Sequence, residues 1–588
     1  MLCCSIGCGL LRALPRLSLL RSDAKSPLSS ADKPNVRRLT LAICAPALLL
    51  LSVTACRQTE EPTGSTTDAP PTGPGSASEV IHLEQGWSGA TRDQAHFASF
   101  GSRIIPYDWL LHLEQADKEA PFLAESHMNE LGFLSAPASE HNPDALPVGF
   151  AQDVDANGVA WAGLGCAACH TAEVRYQGKS IRIDGGSALI NYSGLEFAIR
   201  DSLQATLAQP EKFSRFAKAF SASSEVQLRT ALQQRLDYFT ERFAMNSTEV
   251  PYGRGRLDAF GQIFNVITSE ITHQPENRRS PDAPVSFPVL WGTPRMDLVQ
   301  WNGSASNAAP GPLAQNVTTA LAVYGAATVD GHSELPGYPS SVNFNNLGDI
   351  QKRNEALQAP KWPEPILGKL NTHLVDQGRS LYAERCLSCH TLAEHNPSDA
   401  KISVALTPLD EVGTDPRMAM NFLRASAQSG PYQGRKLMVF GGATIGATEP
   451  SIKLVIHASI GAILRHPIAA TLDMAEASHP SGKPDATAIP RYYKGRPLDG
   501  VWSSAPYLHN GSVPNLQSLL LPPEQRPQTF FVGDREFDPV KVGVSTRKAP
   551  GATLFDTRLP GNSNAGHLFG VDLSSDDKLA LLEYLKSL

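Results

Sequence analysis

The sequence has 588 residues, of which 45 are Pro and 46 are Gly, and its formal net charge is −7 at pH 7. This length is enough for two or three domains with sizeable cores, and the Pro and Gly content predicts many ordered loops. The small negative charge excludes the basic surface typical of nucleic-acid-binding proteins and of polybasic membrane patches. The sequence therefore predicts no nucleic-acid partner.

The N-terminal 56 residues are predicted to be an export signal with a lipid attachment site. Arg37 and Arg38 precede an apolar run, residues 39–53, that is too short for a comfortable membrane-spanning helix. The run ends in Val-Thr-Ala-Cys, which resembles a bacterial lipobox with Cys56 as the lipidated residue; ordinary cleavage after a small residue is the alternative. We expect a lipoprotein on the periplasmic side of the cell envelope. The outer membrane is the default because residue 57 is Arg rather than Asp, and secretion or surface display stays open.

The rest of the chain is predicted to form a tether and two domains. After the leader the sequence is rich in Thr, Pro, Gly, Ser and Glu, as expected for a disordered linker between a lipid and a folded body. A Pro-containing segment, residues 358–363, separates the domains. The predicted units are a leader 1–56 (1–35 being consistent with an upstream start site), a tether 57–85, an N-terminal haem domain 86–360 and a C-terminal cytochrome c domain 361–588.

The assignment of haem to these domains comes from the cysteines. Five of the nine Cys lie at or before Cys56, and the other four occur in two C-x-x-C-H motifs. This spacing lets both thiols form thioethers with haem vinyl groups while the following His reaches the iron as proximal ligand. A zinc site would need a second ligand pair, and a thioredoxin-like motif needs no trailing His. We predict two covalently bound haem c groups, at the first motif (Cys166, Cys169, His170) and at the second motif (Cys386, Cys389, His390).

Two amphipathic helices are predicted in the C-terminal domain. Before the second motif, apolar residues recur at helical spacing on a face that includes Gly378. Near the C-terminus, Ser574 and Asp577 form an N-cap pair ahead of an apolar stripe that includes Tyr584. In cytochrome c domains such helices cross where a small residue meets an aromatic one, and Gly378 against Tyr584 would satisfy that geometry. Two unrelated helices are the alternative.

The sixth iron ligands decide the chemistry, because an iron with two protein ligands transfers electrons whereas an open position binds oxygen or peroxide. His567 lies in a polar loop before the last helix and is the favoured distal ligand at the second motif. One alternative is that His509 is this ligand. The other is that neither His567 nor His509 binds the iron. For the first motif no His or Met is equally well placed, so we predict an open distal position opposite His170.

Two further segments carry a family resemblance. Residues 505–513, with the sequence APYLHNGSV, look like the Ala-Pro-Tyr-x-His-(Asp/Asn)-Gly segment of bacterial diheme cytochrome c peroxidases and MauG-type enzymes. Trp301-Asn302-Gly303 looks like their Trp-Asp-Gly, and the resemblance covers most of the mature chain. It implies that Trp301 lies between the haems as an electron relay. A plain core tryptophan is the alternative.

One segment departs from the peroxidase pattern. The peroxidases continue Gly-Pro-x-x-Asn-Pro-x-Glu, and their glutamate is implied to help break the O–O bond of peroxide. This chain has Thr318 at the corresponding position of the segment 311–318. Threonine is no useful proton donor at neutral pH, so a general-acid contribution of about 10²–10⁴-fold would be lost. Peroxidase activity is therefore in doubt.

A closer resemblance is to the rubber-oxygenase-like branch, diheme dioxygenases implied to cleave polyisoprene with oxygen bound at an apolar distal face. The segments that carry this resemblance are residues 105–109, 146–150, 182–186, 255–261 and 300–303. Val317, with Phe287 and Trp291 upstream, would suit an oxygen pocket; plain core packing is the alternative. A lipoprotein facing the periplasm could not touch an insoluble extracellular polymer, so outward display or a small substrate is required, and the substrate stays open.

Together these patterns predict a mainly α fold of two cytochrome c-like haem domains with long loops and irregular insertions. We expect a haem-dependent oxidoreductase that activates oxygen or peroxide at the N-terminal haem, with the rubber-oxygenase-like reaction favoured. The alternatives are a cytochrome c peroxidase and a non-catalytic electron-transfer cytochrome. The expected partners are a small redox protein, oxygen or hydrogen peroxide, and the membrane through the lipid anchor.

Overall fold

Short helices and short strands alternate along the chain in the computed structural model. The structure describes residues 79–220, 224–308, 310–329, 337–392, 401–467 and 491–588. The predicted leader, the lipidation site Cys56 and the predicted tether up to residue 78 lie outside the described residues. The described residues from 79 to 588 belong to one compact unit.

The fold is mixed α/β, with 40% of the described residues in helices and 16% in strands. The prediction of a mainly α fold is therefore wrong. Many of the strands are only two to four residues long. Segments this short show no alternation of apolar and polar residues that would identify them in the sequence, so they were predicted as loops.

The helices vary in length from a single turn to six turns. They are α1 (Gly89–Phe97), α2 (Tyr107–His112), α3 (Glu125–Glu130), α4 (Cys166–Cys169), α5 (Tyr192–Ala208), α6 (Pro210–Lys218), α7 (Glu225–Met245), α8 (Ala259–Asn265), α9 (Gly311–Ala322), α10 (Phe344–Ala356), α11 (Glu364–Leu367), α12 (Thr372–Arg385), α13 (Leu409–Val412), α14 (Arg417–Arg424), α15 (Ser451–Arg465), α16 (Leu516–Leu519) and α17 (Ser575–Ser587). A π-helical turn, Val266–Glu270, continues α8, and 3₁₀ turns occupy Pro275–Asn277, Thr293–Arg295, Gly430–Tyr432, Val501–Ser503 and Pro523–Gln525.

The strands form two three-stranded sheets and several two-stranded ribbons. They are β1 (Val80–His82), β2 (Ile105–Pro106), β3 (Phe150–Val154), β4 (Ala160–Leu164), β5 (Thr171–Tyr176), β6 (Lys179–Asp184), β7 (Arg256–Leu257), β8 (Val285–Ser286), β9 (Leu298–Val299), β10 (Ala305–Ser306), β11 (Ala405–Pro408), β12 (Ser426–Gln428), β13 (Thr448–Pro450), β14 (Tyr492–Gly495), β15 (Thr529–Val532), β16 (Phe537–Asp538), β17 (Gly543–Val544) and β18 (Thr553–Asp556). The ribbons pair β7 with β8, β9 with β10, β11 with β14, β12 with β13, β15 with β18 and β16 with β17.

The two larger sheets flank the first motif. In one, β4 lies between β2 and β3 with antiparallel pairing; in the other, β6 lies between β5, which is antiparallel, and β1, which is parallel. Because β4 ends at Leu164 and β5 begins at Thr171, the first motif connects the two sheets. Strand β1 falls within the range 57–85 predicted as tether, so the folded part of the chain begins before residue 86.

A hydrophobic cluster contains side chains from both sides of the predicted domain boundary. Ile181 and Ile183 of β6 belong to it together with Trp502 and with Leu585 of α17. The hydrophobic core is therefore continuous across the predicted boundary at residue 360. The division into two domains there stays a prediction.

The crossing of α12 with α17 confirms the prediction made from Gly378 and Tyr584. A Cβ atom on Gly378 would lie 2.0 Å from the carbonyl oxygen of Ala580 and 2.7 Å from Cβ of Tyr584, so only glycine allows this approach. The predicted cap is also confirmed, because Ser574 Oγ accepts a hydrogen bond from the backbone N–H of Asp577. This crossing determines where α12 ends and hence where the second motif lies.

Within the described ranges, every helix is too short or too polar to cross a membrane.

Candidate haem sites

The second motif follows directly from the last turn of α12. The backbone N–H of Cys386 donates to the Tyr382 carbonyl at 2.9 Å, and that of His390 donates to the Cys386 carbonyl at 2.8 Å. The Tyr382 hydroxyl donates to the His390 carbonyl at 2.6 Å. The turn is therefore closed at both ends, and both cysteines and the histidine are presented from one rigid segment.

His390 is held with one ring nitrogen free. Its Nδ1 lies 2.8 Å from the main-chain carbonyl oxygen of Arg496. A carbonyl only accepts, so Nδ1 must carry the proton, and the lone pair is left on Nε2. Burial lowers the pKa of His390, which keeps the ring neutral. This is the form in which imidazole binds a metal.

His567, the predicted distal ligand, lies close to His390. The ring centroids are 6.3 Å apart, with an angle of 48° between the planes. Two imidazoles that share one metal ion have their centroids about 6.2 Å apart, given nitrogen–metal bonds of about 2 Å and about 1.1 Å from nitrogen to ring centre. The observed spacing therefore fits one iron between the rings.

The backbone of His567 has an unusual conformation. Its φ of 47° is in the left-handed region that non-glycine residues rarely adopt, and such conformations cluster at functional sites. The His567 N–H donates to the Val412 carbonyl at 2.7 Å. A Cβ on the preceding Gly566 would lie 2.2 Å from the carbonyl carbon of Gly413, so the loop approaches the 412–414 segment too closely for any other residue.

Arg526 also holds this loop. Its guanidinium donates to the main-chain carbonyls of Asn564, Gly566 and His567, at 2.6, 2.9 and 3.1 Å respectively. Three acceptors on one planar cation leave the loop little freedom. Arg526 therefore orients His567 without contacting its ring nitrogens.

The imidazole of His567 itself has an unused polar atom. Its Nδ1 is buried, and among the described residues it has no hydrogen-bond partner. Burial, first, and the nearby His390, second, lower the pKa of His567 to about 4, so the ring is neutral. A buried neutral imidazole with a free nitrogen is what a metal-ligand role requires.

His509, the alternative distal ligand, lines the same cavity but has a different ring neighbour. Its ring stacks on that of Tyr493, with centroids 4.2 Å apart and 28° between the planes. Burial lowers the pKa of His509 to about 3. Its carbonyl accepts from the Ser286 N–H at 2.8 Å, which connects this segment to β8. The structure thus places His567, rather than His509, in ring contact with His390.

These side chains line a large and mostly apolar cavity. The cavity is bounded by the second motif, by His509 and His567, by Trp301 and Phe287, and by a wall of apolar residues. The residues of that apolar wall include Val289, Leu498, Val501, Leu516, Leu519, Leu520, Leu581 and Leu585. A mostly apolar lining with a few polar groups suits a bulky, largely apolar cofactor.

The first motif has a different local structure. Cys166–Cys169 form the short helix α4, and His170 follows it before β5 begins. The Nδ1 of His170 lies 2.8 Å from the Pro288 carbonyl oxygen, so here too Nδ1–H donates and Nε2 keeps its lone pair. Burial lowers the pKa of His170 to about 4, which keeps this ring neutral as well.

Burial holds three of the four motif cysteines as neutral thiols. Burial raises the pKa of Cys166 to about 11, of Cys169 to about 12 and of Cys386 to about 11. Thiols of this kind stay protonated at neutral pH, whereas zinc ligands and nucleophiles are thiolates. Within the described part of the chain, no three or more His, Cys, Asp or Glu side chains are grouped to hold a metal ion.

The residues predicted to form an oxygen pocket lie in different parts of the core. Phe287 contacts the His170 ring, with centroids 6.5 Å apart, and also lines the second cavity. Trp291 donates from its indole to the Asp499 carbonyl at 2.7 Å. Val317 is fully buried in another hydrophobic cluster, against which Cys166 packs. The structure therefore does not bring Phe287, Trp291 and Val317 together into one pocket.

Trp301 and Thr318 also have defined environments. The Trp301 indole donates to the Ser286 carbonyl at 3.1 Å, and its ring lines the cavity of the second motif. The Thr318 hydroxyl donates to the Ala314 carbonyl and lies 2.7 Å from Ser459 Oγ. At the position of the peroxidase glutamate the chain thus has a hydroxyl group with partners of its own.

Sequence reasoning missed three residues of these sites: Pro288, Arg496 and Arg526. Two supply the carbonyl oxygens that orient the proximal histidines, and the third orients the His567 loop. Main-chain carbonyls leave no side-chain signal in a sequence. Arg526 lies between two prolines, Pro523 and Pro527, which indicate a loop but not its partner.

Comparisons with known proteins agree with this description. The protein y4iJ of Sinorhizobium fredii (strain NBRC 101917 / NGR234), described as uncharacterized, is 32% identical over 87% of this chain and 93% of its own length. The chain belongs to the family of y4iJ. A second protein of that strain, the uncharacterized protein y4iM, is 25% identical over 53% of this chain and 63% of its own length.

A further match concerns part of the family's C-terminal region. Residues 492–531 match the domain family described as RoxA-like, cytochrome c-like. The matched segment contains Arg496, His509 and Arg526 and forms one wall of the second cavity. The match supports the cytochrome c, RoxA-like part of the resemblance, and it indicates a haem-binding cytochrome.

Proposed function

We propose that this member of the y4iJ family is an exported diheme c-type cytochrome oxidoreductase with two unequal sites. The observation that carries the proposal is the environment of the two proximal histidines. His390 has a second imidazole, His567, at a centroid distance of 6.3 Å, whereas among the described residues the ring that contacts His170 is the phenyl of Phe287. When bound, haem iron supplies one-electron transfer and, where a protein ligand is missing, a position for a small oxidant.

The residues of the second motif are arranged for electron transfer. His390 and His567 are both neutral and buried, and both are fixed through main-chain contacts. Both imidazoles would hold the haem iron, and the iron would then supply electron transfer rather than a position for another ligand. The second site is therefore proposed as the electron relay.

The first motif is proposed as the site of oxygen or peroxide activation. His170 is oriented by the Pro288 carbonyl, and the apolar cluster of Val317 packs against Cys166. Thr318 stands where a peroxidase would have its glutamate, and its hydroxyl already donates to a carbonyl. Lack of that acid favours an oxygenase of the rubber-oxygenase-like kind over a peroxidase.

The proposed partner is a small redox protein that docks beside the second motif. Leu387, within the motif, and Leu568 and Phe569, directly after His567, are 41%, 58% and 37% exposed. An apolar patch next to an electron site allows a partner to approach closely without strong, long-lived binding. Attachment to the membrane through Cys56, on the periplasmic side of the envelope, belongs to the same proposal.

Two assays test the reaction. Oxygen uptake with an unsaturated hydrocarbon should occur, and peroxide turnover with a reduced cytochrome should be slow. Rapid peroxide turnover without oxygen uptake would replace the oxygenase by a peroxidase. A protein that shows neither reaction, and whose reduced form binds no carbon monoxide, would be an electron carrier only.

A further inference from the structure

The two proximal histidines are connected through one residue, Arg496. Its main-chain carbonyl oxygen accepts from His390 Nδ1 at 2.8 Å. Its side chain points to the first motif: Nη1 donates to the Val289 carbonyl at 3.3 Å and Nη2 to the Trp291 carbonyl at 3.4 Å. One residue thus contacts the ligand of the second site with its backbone and the segment 289–291 with its guanidinium.

That segment continues directly into the residue that holds His170. Pro288 precedes Val289, and its carbonyl oxygen accepts from His170 Nδ1 at 2.8 Å. Starting from His170, the route crosses one hydrogen bond to Pro288, follows the chain to the Val289 carbonyl, and crosses a second to Arg496. A third hydrogen bond joins Arg496 to His390. Every other step runs through covalent bonds.

Arg496 is well placed to be rigid. Its side chain is buried in the wall of the second cavity, and burial lowers its pKa to about 10, which leaves it charged at neutral pH. Its acceptors are main-chain carbonyls of a segment anchored at Trp291, whose indole donates to Asp499. A planar cation with two fixed acceptors keeps one geometry.

We infer that Arg496 couples the two haem sites as a positioning residue that links their proximal histidines. Hydrogen bonds to Nδ1 tune the basicity of a metal-ligating imidazole, so a change at one site is felt at the other through this link. The same link is a route for one electron: the ferrous iron at one site becomes ferric, and the ferric iron at the other becomes ferrous. The inference rests on the proposed presence of two haems.

Trp301, the relay implied by resemblance, has contacts of another kind. Its indole donates to the Ser286 carbonyl, and its own carbonyl accepts from the Lys494 N–H at 2.8 Å. These contacts connect Trp301 to the wall of the second cavity. The Arg496 link, in contrast, ends at both histidines.

The test replaces the side chain and leaves the carbonyl in place. Interhaem electron transfer is measured in half-reduced protein by photolysis of bound carbon monoxide. Arg496→Gln should slow it by about 3- to 30-fold, the range typical when a residue on the route between two coupled sites is replaced. The low-spin spectrum of the second site should be unchanged, because the main-chain acceptor of His390 remains. Arg496→Lys keeps the positive charge but not the bidentate hydrogen bonding of the guanidinium. Its interhaem rate should lie between those of the wild type and Arg496→Gln.

Arg254 provides the matched control. It is a buried arginine outside the lining of the second cavity, and its guanidinium donates to the main-chain carbonyls of Gly551, Leu189 and Glu130 at 2.7, 3.1 and 2.8 Å respectively. Burial lowers its pKa to about 10, so it is also charged at neutral pH. Arg254→Gln should leave the interhaem rate within about twofold if the link between the histidines, and not the loss of a buried charge, matters.

The outcomes separate this inference from the proposed function. A wild-type protein with fewer than two haems would overturn both. Two haems with an unchanged rate in Arg496→Gln, or an equal loss in Arg254→Gln, would overturn the inference alone. If Arg496→Gln does not fold, Arg496→Lys is used instead. An unchanged interhaem rate together with an unchanged electron-spin-resonance spectrum of the His170 site in Arg496→Lys would also overturn the inference.

Discussion

The two C-x-x-C-H motifs are alike on the proximal side of the histidine and different beyond it. At both, Nδ1–H donates to a main-chain carbonyl oxygen at 2.8 Å. The ring that contacts His390 belongs to His567, whereas the ring that contacts His170 belongs to Phe287. The motif therefore determines one half of a site, and a segment distant in sequence determines the other half.

The chain around each motif differs in the same way. The first motif lies on a four-residue helix between strands of two sheets, and the second follows a 14-residue helix that crosses α17. The first motif is therefore bordered by short segments of two sheets. The second motif lies at the end of a helix pair, and the loop before α17 supplies His567 as its neighbour.

The largest effect is expected from removal of the attachment cysteines. Cys386→Ser combined with Cys389→Ser should halve the haem content per chain, measured by the pyridine haemochrome assay, because thioethers can no longer form. The matched pair Cys166→Ser and Cys169→Ser should give the same loss. Only the first of these double variants should lose the low-spin spectrum. An unchanged haem content in either would contradict the assignment of that site.

The next largest effect is expected from the helix crossing that positions the second motif. Gly378→Ala introduces a Cβ 2.0 Å from a carbonyl oxygen, and overpacking of this kind costs about 1–3 kcal/mol of unfolding free energy. The midpoint of thermal unfolding should fall accordingly. Gly89→Ala is the control, because a Cβ there meets nothing within 4 Å. Equal effects of the two substitutions would show that the crossing does not matter.

A smaller effect is expected from the cation that orients His567. Arg526→Leu leaves five main-chain carbonyls without this donor, three of them in the His567 loop, and each buried unsatisfied group costs about 1–3 kcal/mol. A minor high-spin fraction should therefore appear at the second site in the absorption spectrum. Arg526→Lys should restore part of the low-spin signal, and Arg558→Leu, which changes an exposed arginine, should have no effect. A fully low-spin Arg526→Leu protein would remove Arg526 from this role.

The smallest effect on the haems themselves is expected from the core beside the first site. Burial raises the pKa of Glu196 to about 7, although its carboxylate lies 2.5 Å from the Tyr324 hydroxyl and 3.9 Å from Arg242. The folded state then keeps a proton that the unfolded state loses, so this group's contribution to stability falls between pH 4.5 and 7 and is constant above. In urea titrations Glu196→Gln should flatten that fall, and exposed Glu225→Gln should not. An identical pH profile in Glu196→Gln would show that the carboxyl ionises normally.

Much of the second site could be predicted from the sequence, because its parts have local signals. The motif, the Gly378 face, the Ser574 cap and the His567 loop each depend on residues close together in the chain. The strands could not be predicted, since two-residue pairings depend on partners far away in sequence. The carbonyls that orient His170 and His390 come from residues 118 and 106 positions distant. Every residue carries a main-chain carbonyl, so the sequence gives no signal for these contacts.

The central claim is that the second site is closed by His567 and the first is open. The most direct measurement is the number of carbon monoxide molecules bound per reduced chain. We predict one for the wild type, one for His509→Ala and two for His567→Ala, because loss of the imidazole opens a second iron. A wild-type value of zero or two, or no change in His567→Ala, would contradict the claim.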